Sequence, residues 1–297
     1  MGAKLRVIRR RMRSVNSTMK ITRAMELIAA SRIVKAQGRV ESSRPYAERL
    51  TAAMEDVARQ TGALAHPLLE ERPDPRVAGV LVITSDRGLA GAYNSNVLRR
   101  AEQVMATVRG RGLSPLPYVV GKKGVSYFRF RGVEMQASWT GVSEVPPYEA
   151  AVEIGRRLIA DYAHHTIDEL HVVYTDFRSA FTLRTTDKRF LPIAPEEVGG
   201  QTPGQPSASY LFEPEPEEIL GDLLPQYVIT KVYAAMLESA ASESASRRRA
   251  MKAATDNADE LIKVLSRIAN QERQAEITTE ISEIVGGAEA LTQASGE

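Results

Sequence analysis

Residues 5–40 read LRVIRRRMRSVNSTMKITRAMELIAASRIVKAQGRV, and their spacing decides the fold. In alternating steps of three and four, positions 5, 8, 12, 15, 19, 22, 26, 29, 33, 36 and 40 are Leu, Ile, Met, Val, Met, Thr, Glu, Ala, Ile, Ala and Val. Nine of these eleven are apolar, which over five heptads is the seam of a helix that packs on another helix. A second short row, Ile21, Met25 and Ile28, lies beside the first. It widens the apolar arc beyond what a two-stranded seam needs.

The partner lies at the other end of the chain. Fourteen of the fifteen prolines and fourteen of the twenty glycines fall between Pro67 and Pro225. Residues 3–61 hold only Gly38 and Pro45, and residues 226–285 hold neither type. Sixty residues without a breaker extend about 90 Å as one helix, far beyond a globular helix. This second flank carries Ala258, Leu261, Leu265 and Ile268 at the same spacing, and small residues (Ala234, Ala235, Ala240, Ala241, Ala245) that permit close approach. Its rhythm fails at Glu272, and a new row begins: Ile277, Ile281, Ile284, Ala288, Leu291. If both helices leave the middle of the chain at one level, the second outruns the first by roughly 20 residues, about 30 Å. The overhang then begins near residue 271, where the row slips.

The middle block alternates strand and helix. VAGVLVIT (77–84), LPYVVG (116–121), VEMQAS (133–138), DELHVVYTDF (168–177) and AFTLRTTDKRFLPI (180–193) read as strands. NSNVLRRAEQVMATVRG (94–110), KKGVSYFRFRG (122–132) and PPYEAAVEIGRRLIADYAHH (146–165) read as helices. That order predicts a mainly parallel sheet. The expected fold class is α/β: a long antiparallel coiled coil of the N- and C-terminal helices with an inserted Rossmann-like α/β domain. The expected boundaries are 1–62, 63–212 and 213–297.

The chemistry-bearing stretches are weak. TSDRGLAGAYNSN follows the first strand as a dinucleotide turn does, but Gly88 and Gly91 supply two of the three expected glycines. No G-x-x-x-x-G-K-[ST] occurs, and VGKKG lacks its spacing and hydroxyl. The turn therefore reads as a tight βα connection that binds no nucleotide. His164 and His165 diverge by about 100° on a helix and cannot share a metal. Asp86, Asp176 and Asp187 stand near strand ends without a base or nucleophile beside them. SRRRAM (246–251) reads as a solvated helix face, since no aromatic residue accompanies it for base stacking. No cysteine is present, so thiolate sites and disulfides are excluded. No catalytic, metal or cofactor site is expected.

Charge separates the ends. Residues 1–60 carry a net +9 on a chain whose total is +2, which calls for an acidic partner. No apolar run approaches the roughly 18 residues that span a bilayer. The basic start lacks a secretory h-region, and its seam reads as mature protein rather than a transit peptide.

KITRAMELIAASRIVKAQ (20–37), SDRGLAGAYNSN (85–96), YLFEPEPEEIL (210–220), AMKAATDNADELI (250–262) and RQAEITTEISEIVGGAEAL (273–291) occur in this order. Together they resemble the gamma subunit of F-type ATP synthases across nearly the whole chain. The last is the most specific, with Ile277-Thr278-x-Glu280, Glu283 and Gly287-Ala288-x-Ala290. The resemblance implies a central-stalk rotor of a proton-translocating complex, non-catalytic itself. Its helix pair would stand in an alpha3beta3 ring, and its α/β domain near the epsilon subunit and the membrane c-ring. Met25, Arg247, Arg273, Gln274, Thr278 and Glu280 match the family's coupling contacts to beta, and Tyr210 and Glu213 its contacts to the c-ring. Arg248 and Arg249 depart from the usual pattern of one Arg followed by an apolar pair. The row Ile277, Ile281, Ile284 and Leu291 would be an apolar bearing at the top of the ring. The implied place is the cytoplasmic side of a bacterial inner membrane, peripheral through the complex, with no nucleic acid bound. Two other functions compete: a nucleotide-dependent enzyme in the middle block, and a basic coiled coil that binds nucleic acid.

Overall fold

The computed structural model describes residues 3–61, 66–179, 182–194, 197 and 216–294. Its elements run α1 (Ala3–Thr61), β1 (Val77–Ile83), α2 (Tyr93–Gly110), β2 (Ser114–Val120), α3 (Lys122–Phe130), β3 (Ala137–Trp139), α4 (Tyr148–Ala163), β4 (Glu169–Phe177), β5 (Leu183–Leu191) and α5 (Pro216–Ala294). The chain divides into two compact units, one of residues 29–247 and one of residues 1–28 with 248–297.

In the unit of residues 29–247 the five strands lie in the order β3-β2-β1-β4-β5. The first four are parallel, and β5 turns back antiparallel on β4. A short connection between two adjacent strands makes a hairpin, which is why the last strand departs from the parallel order. Side chains alternate between two cores. Val80, Val82, Val119 and Val173 face α2 and α3 with Val97, Val104 and Phe128. Leu81, Tyr118, Val120 and Val172 face the other way, onto Ile154 and Leu158 of α4. That second core also takes Leu50 and Met54 from α1 and Leu224, Val228 and Val232 from α5. The inserted block is thus not a self-contained domain between two helices, because the helices supply part of its second layer. Gly155 of α4 shows how near they come: a Cβ there would lie 2.6 Å from Ile229 Cγ1 on α5.

The strand expected over 133–138 shrinks to Ala137–Trp139. Gly132 leaves α3 with φ +66, and the Val133 N–H returns to the Phe128 carbonyl. This helix-ending turn keeps Val133 and Met135 in a loop packed on the α2–α3 core.

In the unit of residues 1–28 and 248–297, α1 and α5 pair through the predicted seams. The seven heptad positions of α1 in this unit, from Leu5 to Glu26, are buried or half-buried, as are the four from Ala29 to Val40 in the other unit. On α5, Ala258 and Leu265 are buried and Leu261 and Ile268 half-buried. The polar member at position 22 is matched rather than wasted: Thr22 Oγ and Thr255 Oγ share a hydrogen bond of 2.7 Å. Antiparallel helices advance equally from that point, so Leu5 meets the turn near Glu272. Leu5 is 3% exposed, and Glu272 is half-buried. Ala3, the first described residue of α1, therefore lies opposite about residue 274.

Candidate functional site

Two places carry the molecule's unusual chemistry, one in each unit. The first is the turn after β1. Its polar groups are consumed internally. Thr84 Oγ accepts the Gly124 N–H at 2.9 Å, Ser85 O the Lys123 N–H at 3.0 Å, and Asp86 Oδ1 the Lys122 N–H at 3.1 Å. The first N–H groups of α3, which begins beside this turn, are closed by the chain's own acceptors. Asp86 also accepts the Ser143 N–H at 3.0 Å. Burial works to raise the Asp86 carboxyl, but the hydrogen bonds from Gly141, Ser143 and Lys122 outweigh it and hold the pKa below the ordinary range.

Facing this turn, Arg247 of α5 donates to the Gly88 carbonyl at 3.3 Å and approaches the Arg87 carbonyl at 3.5 Å. Leu89 (φ 61) and Gly91 (φ 57) take left-handed backbone just after it. The same guanidinium pairs with Glu243 one helical turn back at 2.5 Å. It also lies 3.8 Å from Glu144, which pairs in turn with Arg32 of α1 at 2.7 Å and Arg87 at 3.6 Å. Arg247 is 5% exposed and Glu243 1%. Burial, opposed by Arg247, leaves the Glu243 carboxyl raised. SRRRAM is accordingly not a uniform solvated face: Arg248 and Arg249 are exposed, while Arg247 is buried. The spacing Glu243–Arg247 within AASESASR, an i,i+4 ion pair amid small residues, is the sequence signal for it.

The second place is the free side of the helix pair. Along α1, Arg6, Arg9, Arg10 and Arg13 line an open groove of about 640 Å³ with Met12, Asn16 and Ile262. Within the second apolar row, Ile21 and Ile28 are more than half exposed and Met25 is half-buried. Arg273, Gln274, Thr278 and Glu280 are all exposed, Thr278 Oγ bonding back to the Gln274 carbonyl. From 277 to 286 every residue is exposed, apolar ones included: Ile277 49%, Ile281 56%, Ile284 72%. Leu291 belongs to α5, but its side chain lies outside the described residues, as do Tyr210 and Glu213 altogether. Among the described residues no cluster of His, Asp or Glu is arranged to hold a metal, and no helix is long and apolar enough to cross a membrane.

The geometry offers contact surfaces and internal locks, and comparison with known proteins agrees. The family model described as ATP synthase matches residues 4–291. ATP synthase gamma chains of Mycolicibacterium smegmatis and Mycolicibacterium gilvum are 53% and 52% identical, over 98% of this chain and 99% of each relative. That of Acidothermus cellulolyticus is 53% identical over 100% of both. Among solved structures, a chain of the Tetrahymena thermophila mitochondrial ATP synthase central stalk and c-ring matches with a TM-score of 0.58 at 25% identity. It covers 79% of this chain and 99% of that one. A chain of Euglena gracilis mitochondrial ATP synthase (OSCP/F1/c-ring, rotational state 3) gives 0.68 at 17% identity, over 98% and 95%, which speaks for the fold. By its sequence along nearly its full length and by its fold, the chain belongs to the ATP synthase gamma chain family.

Proposed function

We propose that this chain is the central-stalk rotor of a proton-translocating F-type ATP synthase, carrying torque between the c-ring and the catalytic beta subunits without doing chemistry itself. The observation that carries this reading is the change along α5 from a covered seam to a bare row. Ile277, Ile281 and Ile284 have no cover among the described residues, and burying each would stabilise an assembly by roughly 1–2 kcal/mol. A sleeve in the alpha3beta3 ring fits that need, since apolar contact is non-directional and lets a tip turn within it. Directional groups suit the opposite task. Arg273, Gln274 and Thr278, at the foot of the bare row, serve as the grip on beta, with Met25 and Glu280 as further coupling contacts. The basic face of α1 is drawn equally to three copies of an acidic surface, so it holds the shaft without preferring one stop. Tyr210 and Glu213 rest on the c-ring and the α/β domain on the epsilon subunit. The domains are 1–62, 63–212 and 213–297 as function divides them: shaft, c-ring-side body, and shaft with tip. The complex is peripheral to the cytoplasmic side of a bacterial cell membrane at this subunit. It takes no nucleotide, metal or other cofactor of its own.

Affinity capture of the tagged chain from a detergent extract of its own membranes tests the reading. Recovery of ATPase alpha, beta, epsilon and c chains with ATP hydrolysis is the expected result. Recovery of nucleic acid, or of the chain alone with tight nucleotide binding, would support one of the competing functions instead.

A further inference from the structure

A rotor has to pass torque between its helices and its α/β body, and large side chains of both helices, Met54, Leu224 and Val232 among them, anchor one end of that contact in the second core. From Ala235 to Ala245, α5 buries the small residues Ala235, Ser239, Ala240, Ala241, Ser242 and Ala245, with Met236 and Leu237 as the large side chains near its start. A face of small residues packs closely but interlocks little. Apolar contact resists separation and is indifferent to direction, so sliding or twisting meets little resistance from it.

Polar groups supply what this face lacks. Ser242 Oγ donates to the Thr175 carbonyl of β4 at 3.1 Å, and the Thr175 N–H approaches Ser239 Oγ at 3.4 Å. The strongest such group stands at the end of the run. Three guanidinium groups, from Arg32, Arg87 and Arg247, share two carboxylates, Glu144 and Glu243. These five residues come from α1, the turn after β1, the loop before α4, and α5. The carbonyls of Arg87 and Gly88 complete the set. Arg247 Nη1 and Glu243 Oε2 are buried without a hydrogen-bond partner of their own, and Glu144 Oε1 is held by its ion pair with Arg32 at 2.7 Å, so small displacements leave charge further uncompensated. Unpairing its inner members, Arg247 and Glu243, is costly because both would remain buried, whereas the outer arginines, Arg32 and Arg87, reach solvent.

We propose that the Arg32–Glu144–Arg247–Glu243 cluster is a torsional clip that fixes both shaft helices to the Gly-rich turn. It makes Arg247 a positioning residue that acts within the chain rather than by touching beta. This gives the SDRGLAG turn a role, to present two carbonyls to a cation on α5. The proposal rests on the rotor reading above.

The test uses the assembled soluble complex, with a probe on the α/β body and the alpha–beta ring fixed. Glu144→Gln, which keeps volume and polarity, and Arg32→Gln, which keeps a polar but shorter side chain, remove ion pairs at the outer edge of the cluster. Angular fluctuation of the probe at each rotary stop should widen about twofold in variance, because the polar restraint is weakened while apolar contact remains. Melting temperature and ATP hydrolysis should stay near wild type, and protons pumped per ATP by the full complex should fall. Arg247→Lys should widen the distribution further, since an ammonium cannot bridge carbonyls and carboxylate as the planar fork does. An unchanged distribution in all three variants would overturn the clip and leave the rotor reading intact. Lowered melting with unchanged spread would make the cluster a fold element only, which also overturns it. A wild-type chain that never joins alpha and beta would overturn the rotor reading itself.

Discussion

Residues 248–276 and 277–286 lie on one unbroken helix, and both carry apolar residues at three- and four-residue spacing, yet they meet opposite fates. The first stretch buries Ala258 and Leu265 against α1; the second leaves Ile277, Ile281, Ile284 and Val285 about half exposed or more. The difference is set by where the partner stops. With Thr22 opposite Thr255, Ala3, the first described residue of α1, stands opposite the turn holding Arg273 and Gln274. The slip of the apolar row at Glu272 coincides with that point. A change in the buried face of a helix thus accompanies a change in what covers it, and the second row has no cover among the described residues.

The contrast can be broken by substitution. In the isolated chain, Leu265→Ala should destabilise by about 3 kcal/mol in urea unfolding, from lost burial and the cavity left behind. Ile281→Ala should stay within about 0.5 kcal/mol there, as an exposed site does, and cost more only in the assembled complex. Equal losses in the isolated chain would mean the tip is covered by its own chain after all.

The Thr22–Thr255 bond sharpens the comparison from the covered side. Thr22→Val removes the bond between the helices while Thr255 Oγ keeps its bond to the Met251 carbonyl at 2.9 Å, so it should cost about 0.5–1.5 kcal/mol, and adding Thr255→Val should cost little more. The double-mutant cycle checks the register directly; independent, additive losses would place the two threonines apart.

A smaller, pH-dependent effect belongs to the other unit. Glu238 on α5 is held at a pKa raised to about 7, first by burial and then by Asp176, with Lys188 opposing. Its ordinary value is 4.5, so between these values the folded state binds the proton that the unfolded chain releases. Stability from this group is therefore lost as pH rises through about 7. Glu238→Gln should flatten that loss between pH 5 and pH 8 in thermal melts, with the gain confined to the alkaline side. A uniform shift at every pH would show a packing effect instead.

Much of this was legible in the sequence, for reasons specific to each element. The α1 seam was readable at all eleven positions because a coiled coil is a local rule applied repeatedly, and even its polar Thr22 kept its place. Strands β1, β2 and β4 were legible as buried apolar runs. The antiparallel β5 and the shortened β3 were not, since they depend on a hairpin and on the turn at Gly132. Arg247 was misread as solvated because its partners, Glu144 and the carbonyls of residues 87 and 88, are far away in sequence. Only Glu243, four residues before it, gave a local hint. The change on α5 from a covered to a bare row was legible as a slip in period, while its place against α1 needed the register set by Thr22 and Thr255.

The central claim is that the tip of α5 has two jobs, an apolar bearing above and a directional grip below. The most direct measurement is the rate of proton-driven ATP synthesis in membrane vesicles carrying two truncations, one from Ser282 onward and one from Arg273 onward. Both should assemble. The shorter deletion should keep most of the synthesis rate with a less stable complex, and the longer should lower it severalfold further by removing Arg273, Gln274 and Thr278. Equal losses from the two truncations would contradict the account.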